Sequence, residues 1–316
     1  MTYFDIFNGD ADGLCALHQL RLADPRTAVR ITGVKRDTML VERAQAAAGD
    51  QLTVLDIGLD QNRAGLNKAL AAGASCRYFD HHFAGEIPEH PALRVHIRTD
   101  PDVCTSLLVD EYLEGEYRLW ALTAAFGDGL SPVAEQLCHD FGLSLPDCDV
   151  LRELGEALNY NAYGESLEDL HFHPAALYER MQPFLDPRAF ARDDPAFGQL
   201  RTGYRQDLQS ATAQTPLLAT ASHFALALPN EPWTRRINGV LANRLAQEYP
   251  QRAHVILIPK QGGYLVSVRA PAVRPKGADV FCRKFPTGGG RSGAGGINLL
   301  PSEALKRFLA EFEAAF

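Results

Sequence analysis

The chain has 316 residues with 31 Lys+Arg against 39 Asp+Glu, a formal net charge of −8, and 46% apolar residues. That composition excludes disordered, collagen-like and low-complexity material, and its acidity argues against gripping a long nucleic acid by counterion release. The start lacks a basic and apolar leader, no apolar run nears the ~20 residues of a membrane span, and six scattered cysteines lack a C-x-x-C pair, so a cytoplasmic chain with reduced, buried thiols and no membrane contact is expected.

In chain order, Tyr3–Phe7 reads as a strand, followed by a helix over about 13–23. Residues 31–34, 52–57, 76–79 and 94–97 read as further strands. Asp60 is the expected N-cap of a helix reaching about Ala72, with Gly73 as its stop. Strands alternating with helices predict an α/β domain with a largely parallel sheet flanked by helices on both faces. Residues 104–169 carry helical patterns, and Pro195–Thr212 reads as a polar connecting helix in a zone punctuated by Pro183, Pro187 and Pro195. Beyond Thr215 the pattern returns to strands. Residues 217–228 suit one or two strands and 236–249 a helix, and Gly262-Gly263 joins two apolar runs as a hairpin. Leu305, Phe308, Leu309 and Phe312 form the stripe of a terminal helix. The expected division is 1–190, a connecting segment 191–215, and a smaller C-terminal α/β domain 216–316, with the active-site cleft between the two domains. Charge divides there too. From residue 216 onward thirteen Lys+Arg face six Asp+Glu, a net of +7, whereas residues 1–215 carry −15.

Four acidic clusters of the first domain carry chemistry. Asn8-Gly9-Asp10-Ala11-Asp12-Gly13 follows the first strand, Asp56 ends the third, Asp80-His81-His82 ends the fourth, and Asp128 follows a helix. In open α/β sheets the carboxyl ends of strands form the ligand crevice. Carboxylates with imidazoles suit Mn²⁺, Mg²⁺ or Fe²⁺ better than thiolate-seeking metals. Four Asp carboxylates carry the charge that two divalent ions would balance. An EF-hand is rejected, because its twelfth position is Gln19 and a strand precedes the loop.

The ordered set D-A-D-G, D, D-H-H and G-D resembles the DHH phosphoesterase family. The resemblance implies two metal ions, Mn²⁺ or alternatively Mg²⁺. Asp10 and Asp12 would each bind one, Asp56 would bridge them, and His81 and Asp128 would complete the shell at Asp12. His82 would contact the substrate phosphate and Asp80 would orient a histidine. The first motif lacks the metal-binding His of many members, and Asn8 is expected as a weaker oxygen ligand in its stead.

In the second domain, Gly288-Gly289-Gly290-Arg291 followed by Ser292-Gly293-Ala294-Gly295-Gly296 reads as a glycine loop whose backbone could approach a phosphate or base. It resembles the glycine signature of the DHH-associated C-terminal domain, with Arg291 where that signature has His. Arg269 matches the family's strand-end Arg that reaches substrate. The whole therefore resembles the short nano-RNase branch. The resemblance implies a phosphodiesterase that cuts short linear dinucleotides, pGpG foremost, to mononucleotides, acting as a possible homodimer. A 3′-phosphoadenosine 5′-phosphate phosphatase, a general nano-RNase and a non-catalytic nucleotide sensor are the alternatives.

Overall fold

The computed structural model describes residues 1–316. They divide into two compact units, Met1–Gly203 and Tyr204–Phe316.

The first unit is built on five strands: β1 (Tyr3–Phe7), β2 (Val29–Ile31), β3 (Gln51–Leu55), β4 (Ser75–Asp80) and β5 (Leu93–Ile97). They pair in the order β2-β1-β3-β4-β5, and every pair is parallel. Strand side chains alternate between faces. Ile6, Val54 and Tyr78 enter a core with Leu59, Leu66 and Leu70 of α2 (Leu59–Ala71). Phe7, Leu55 and Phe79 enter the opposite core with α1 (Ala11–Ala23), α3 (Thr105–Tyr112), α4 (Arg118–Gly127), α5 (Ser131–Asp140) and α6 (Leu145–Ala162). Helices α7 (Pro174–Met181) and α8 (Pro187–Asp193) complete that side, and α9 (Pro195–Thr212) crosses the boundary between the units. The sheet is thus covered on both faces, as an all-parallel sheet must be. The chain leaves β1 outward to β2 and then returns past β1 to β3, so the sheet's switch point lies between β1 and β3.

One helix crossing sets where the site's acidic groups lie. A Cβ on Gly127 of α4 would sit 2.5 Å from the Ala11 Cβ and 2.6 Å from the Gly155 carbonyl oxygen. Only glycine lets α4 approach α1 and α6 this closely. The approach brings Asp128, at the end of α4, beside the N-terminus of α1. Asp60 is not the N-cap of α2. Gly58 holds that position, because the chain turns directly at Asp56-Ile57-Gly58, and Asp60 falls in the first turn.

The second unit is a six-stranded sheet in the order β10-β11-β9-β8-β7-β6. Its strands are β6 (Leu218–Ala219), β7 (His223–Ala227), β8 (Ala253–Lys260), β9 (Gly263–Arg269), β10 (Gly288–Arg291) and β11 (Ala294–Pro301). Only β7 and β8 are parallel, and α10 (Pro232–Glu248) makes their crossover. Val255, Leu257, Val266 and Val268 face Phe281 of α11 (Ala278–Cys282) and Phe308 and Phe312 of α12 (Leu305–Ala315). No helix of the chain is long and apolar enough to cross a membrane.

His254 of β8 is buried, and burial with the nearby Arg252 charge pushes its pKa down to about 4. It therefore stays neutral in the folded unit while it titrates near 6.5 when unfolded. Its stabilising contribution is complete above that value and is lost as pH falls toward 4. Substituting His254→Leu is expected to raise the melting temperature more at pH 5 than at pH 7.5, read by thermal melts at the two pH values.

Candidate metal centre

The chain folds back over the end of β1 through Gly13, whose Cβ would lie 2.1 Å from the Asn8 carbonyl oxygen. Asp10 caps α1, its Oδ1 accepting from the Asp12 and Gly13 amides at 3.1 Å each. Asp12 lies in the first turn of α1 and reaches the start of α3, where the Thr105 and Ser106 amides donate to its two oxygens at 2.7 Å each. These bonds and the α3 dipole stabilise a buried carboxylate. Asp56 follows β3 with φ of +58°, a left-handed conformation that a short polar residue tolerates. Thr105 Oγ1 donates to its Oδ1 at 3.3 Å.

Asp80 ends β4, and His81 and His82 follow it. His81 Nδ1 pairs with the Val103 carbonyl oxygen at 3.0 Å, which assigns the proton to Nδ1. The Nε2 lone pair then faces three carboxylates: Asp56 at 3.4 Å, Asp128 at 3.8 Å and Asp12 at 4.0 Å. Two donors that each bind one small divalent ion at ~2.1 Å lie no more than about 4.2 Å apart, so these separations suit a shared cation. Asp12, His81 and Asp128 each offer a ligand atom within a 4.8 Å cluster, and so do Asp56, His81 and His82.

Burial, reinforced by the charges of Asp10, Asp12 and Asp128, pushes the Asp56 carboxyl well above the ordinary range. Asp128 is also raised, chiefly by burial, although Lys35 opposes the shift. Three carboxylates around a correctly oriented imidazole nitrogen are a set that a divalent cation would complete, and the residues fit one such ion.

Asp10 differs. Its Oδ2 lies 2.5 Å from Nζ of Lys35, a residue that the sequence reading did not single out. Lys35 Nζ also donates to Asn159 Oδ1 at 3.1 Å and to Asp128 Oδ1 at 3.4 Å. Burial alone would raise Asp10, but the Lys35 charge and the hydrogen bonds from Lys35 and the Gly13 amide together outweigh it and hold the carboxyl below its usual value. Asn8, the expected oxygen ligand, makes two hydrogen bonds in this structure. Its Oδ1 accepts from the Asp10 amide at 3.3 Å, and its Nδ2 donates to the Lys35 carbonyl at 3.2 Å, so both ends of the side chain are engaged within the loops. The available signal for Lys35 was its place just after the second strand, at the same sheet edge as the acidic clusters.

Asp80 Oδ1 pairs with His82 Nδ1 at 2.7 Å. Burial lowers the His82 pKa, but the Asp80 hydrogen bond and charge more than offset it, and the imidazole is raised above its ordinary value. The His82 side chain is 45% exposed, open to a ligand, with the 76% exposed Phe83 beside it.

In the second unit the expected glycine loop is a strand hairpin. Gly288–Arg291 is β10, paired antiparallel with β11. The register aligns Arg269, Ala294 and Arg291 across three strands, and Ser267, Gly296 and Gly289 in the next row of that face. Residues directly opposite share a face. One face thus presents two guanidinium groups around a floor of small residues. Arg269 Nε donates to Asn243 Oδ1 of α10 at 2.9 Å, which fixes one of them. Gly289 lies on this open face, where a Cβ would meet nothing within 4 Å. Gly288 and Gly290 face the other way. A Cβ on Gly288 would lie 1.8 Å from the Cys282 carbonyl oxygen, so these two glycines serve packing.

No family model and no curated protein sequence matches the chain. Among solved structures, it is similar to the DHH domain of a member of the S1p family of ribosomal proteins, with a TM-score of 0.62 at 15% identity over 99% of this chain and 86% of that one. It is similar to a manganese-bound exonuclease RecJ, with a TM-score of 0.55 at 19% identity over 99% and 89%. A pGpG-specific phosphodiesterase from Vibrio cholerae matches with a TM-score of 0.55 at 14% identity over the full length of both chains. The chain therefore has the DHH fold.

Proposed function

We propose that this protein is a divalent-metal-dependent phosphodiesterase that hydrolyses short linear dinucleotides, pGpG foremost, to mononucleotides. The observation that carries this reading is a pair of potential ligand groups that share His81, one with Asp12 and Asp128 and the other with Asp56 and His82, beside the Asp80 that holds His82. The full-length likeness to the Vibrio cholerae pGpG phosphodiesterase supports the substrate class.

A bound Mn²⁺ or Mg²⁺ would supply Lewis-acid polarisation of the phosphoryl group and lower the pKa of water. The protein's own residues do the rest. Asp12, Asp56, His81 and Asp128 would hold the ion. His82, oriented by Asp80, which also raises its pKa above the ordinary value, is placed to donate to a non-bridging phosphate oxygen as charge builds there. Arg269 and Arg291 take the remaining phosphate and the face or edge of a guanine, as planar guanidinium groups can. The small-residue floor between them leaves room for a flat base.

The test is release of mononucleotide from pGpG, pApA, a pentanucleotide and 3′-phosphoadenosine 5′-phosphate with added Mn²⁺. Preference for pGpG supports the reading, equal rates on all four remove the specificity, and tight binding without turnover makes the protein a sensor. The glycine strand supplies a second test. Gly289→Leu is expected to fold, because its Cβ has open space, and to raise KM about 10-fold or more with little change in kcat. Gly288→Ala is expected to destabilise the second unit by about 1–3 kcal/mol, because its Cβ overlaps backbone. Steady-state kinetics and denaturant melts separate the two outcomes.

A further inference from the structure

The two-cation expectation places a second dication against Asp10 and the bridging carboxylate Asp56. In this chain an ammonium group stands against Asp10. We infer that Lys35 replaces the second cation, so that the site takes one divalent ion per chain.

Three observations carry this. First, an ammonium group has three N–H donors, and Lys35 Nζ meets three acceptors: Asp10 at 2.5 Å, Asn159 at 3.1 Å and Asp128 at 3.4 Å. Its donor capacity is filled by the Asp10 and Asp128 carboxylates and the Asn159 amide oxygen. Second, the Lys35 backbone is fixed at both ends. Its amide donates to the Ala162 carbonyl at 2.9 Å, and its carbonyl accepts from Asn8 Nδ2 at 3.2 Å. Asn8 stands two residues before Asp10, so the first motif itself anchors the lysine. Third, the oxygen that a second dication would bind at ~2.1 Å already has the ammonium beside it, and two cations in that space repel strongly in a partly buried pocket. Asp10, Asp12, Asp56 and Asp128 carry four negative charges. One dication with Lys35 neutralises three, and the α3 amides stabilise Asp12 as well. A second dication on top of Lys35 would leave the pocket net positive.

Lys35 is thus a charge-compensating and positioning residue that holds Asp10 and orders the carboxylates around a single metal. The inference deepens the proposed phosphodiesterase site and rests on that site's metal dependence, but not on its substrate. Metal content therefore tests it without any substrate. The full-length protein is dialysed against Mn²⁺, and ions per chain are counted by elemental analysis while electron paramagnetic resonance reports whether the ions are coupled. The wild type is expected to hold one uncoupled Mn²⁺. Lys35→Ala is expected to gain a second, spin-coupled ion, and Lys35→Arg, which keeps the charge, to remain at one. Circular dichroism checks that each variant is folded. Two coupled ions in the wild type overturn the inference, and so does a folded Lys35→Ala chain that still binds only one. If Lys35→Ala does not fold, the wild-type count decides by itself. A count of one with no hydrolysis of pGpG would discard the proposed substrate and leave the Lys35 assignment standing.

Discussion

Asp56→Asn is expected to lower kcat by roughly 10²–10³-fold and, in the same protein, to raise the melting temperature of the metal-free chain. Both effects follow from one environment. Asp56 is buried, sits at the end of β3 in a left-handed conformation, and has Asp10, Asp12 and Asp128 as neighbours. Its carboxyl pKa is higher in the folded chain than in the unfolded one. The folded chain therefore binds that proton more tightly, and stability falls as pH rises from the ordinary Asp value up through the raised one. At neutral pH the metal-free fold bears this penalty, which a bound cation relieves. Asparagine keeps the shape and the Thr105 contact but has no such charge, so the penalty disappears together with a metal ligand. Thermal melts in chelator should show a larger gain for Asp56→Asn at pH 8 than at pH 5. Added Mn²⁺ should raise the wild-type melting temperature by more than that of the variant. A chelated variant that melts no higher than wild type at pH 8 would refute this account.

The second large effect is expected at Asp80, which we propose touches no substrate itself. It is fully buried, and its Oδ1 holds His82 Nδ1 at 2.7 Å. That bond selects the His82 tautomer, aims Nε2 outward and keeps the ring protonated to higher pH. Asp80→Asn replaces an obligate acceptor with a group that can also donate, so the ring can turn or change tautomer. A fall in kcat of about 10²-fold or more is expected, with a smaller change in KM. Because Asp80 is what raises the His82 pKa, its loss should move the alkaline limb of the kcat profile to lower pH. An unshifted limb with reduced kcat would leave Asp80 with a structural role only. The readout is a pH–rate profile at saturating substrate and Mn²⁺.

Much of the first unit was readable along the chain. The short apolar runs alternating with helical patterns predict a parallel sheet, and β1, β3 and β4 form within or close to the expected segments. Asp10, Asp56 and Asp80 were legible as a group because each ends a strand, and parallel strands put those ends at one edge. The helical boundaries were less so. Asp60 has the chemistry of a cap, but the tight turn after Asp56 starts α2 earlier, at Gly58.

Residue types at strand ends thus sufficed to bring Asp10, Asp56 and the Asp80-His81-His82 run to one edge, because the order of a parallel sheet converts sequence position into proximity. Three features depend on contacts between distant segments. The two oxygens of Asp12 are held by amides 93 and 94 residues away, which no local pattern records. A single lysine after a short strand is ordinary surface chemistry until the pairing of β2 beside β1 brings Lys35 to Asp10. The glycines at 288, 289 and 290 are identical in sequence, and only the strand register separates the one on the open face from the two packed against neighbouring backbone. Candidate metal-ligating residues could be proposed from the chain alone. Where the positive charge stands, and which glycine leaves room for a ligand, depends on long-range packing.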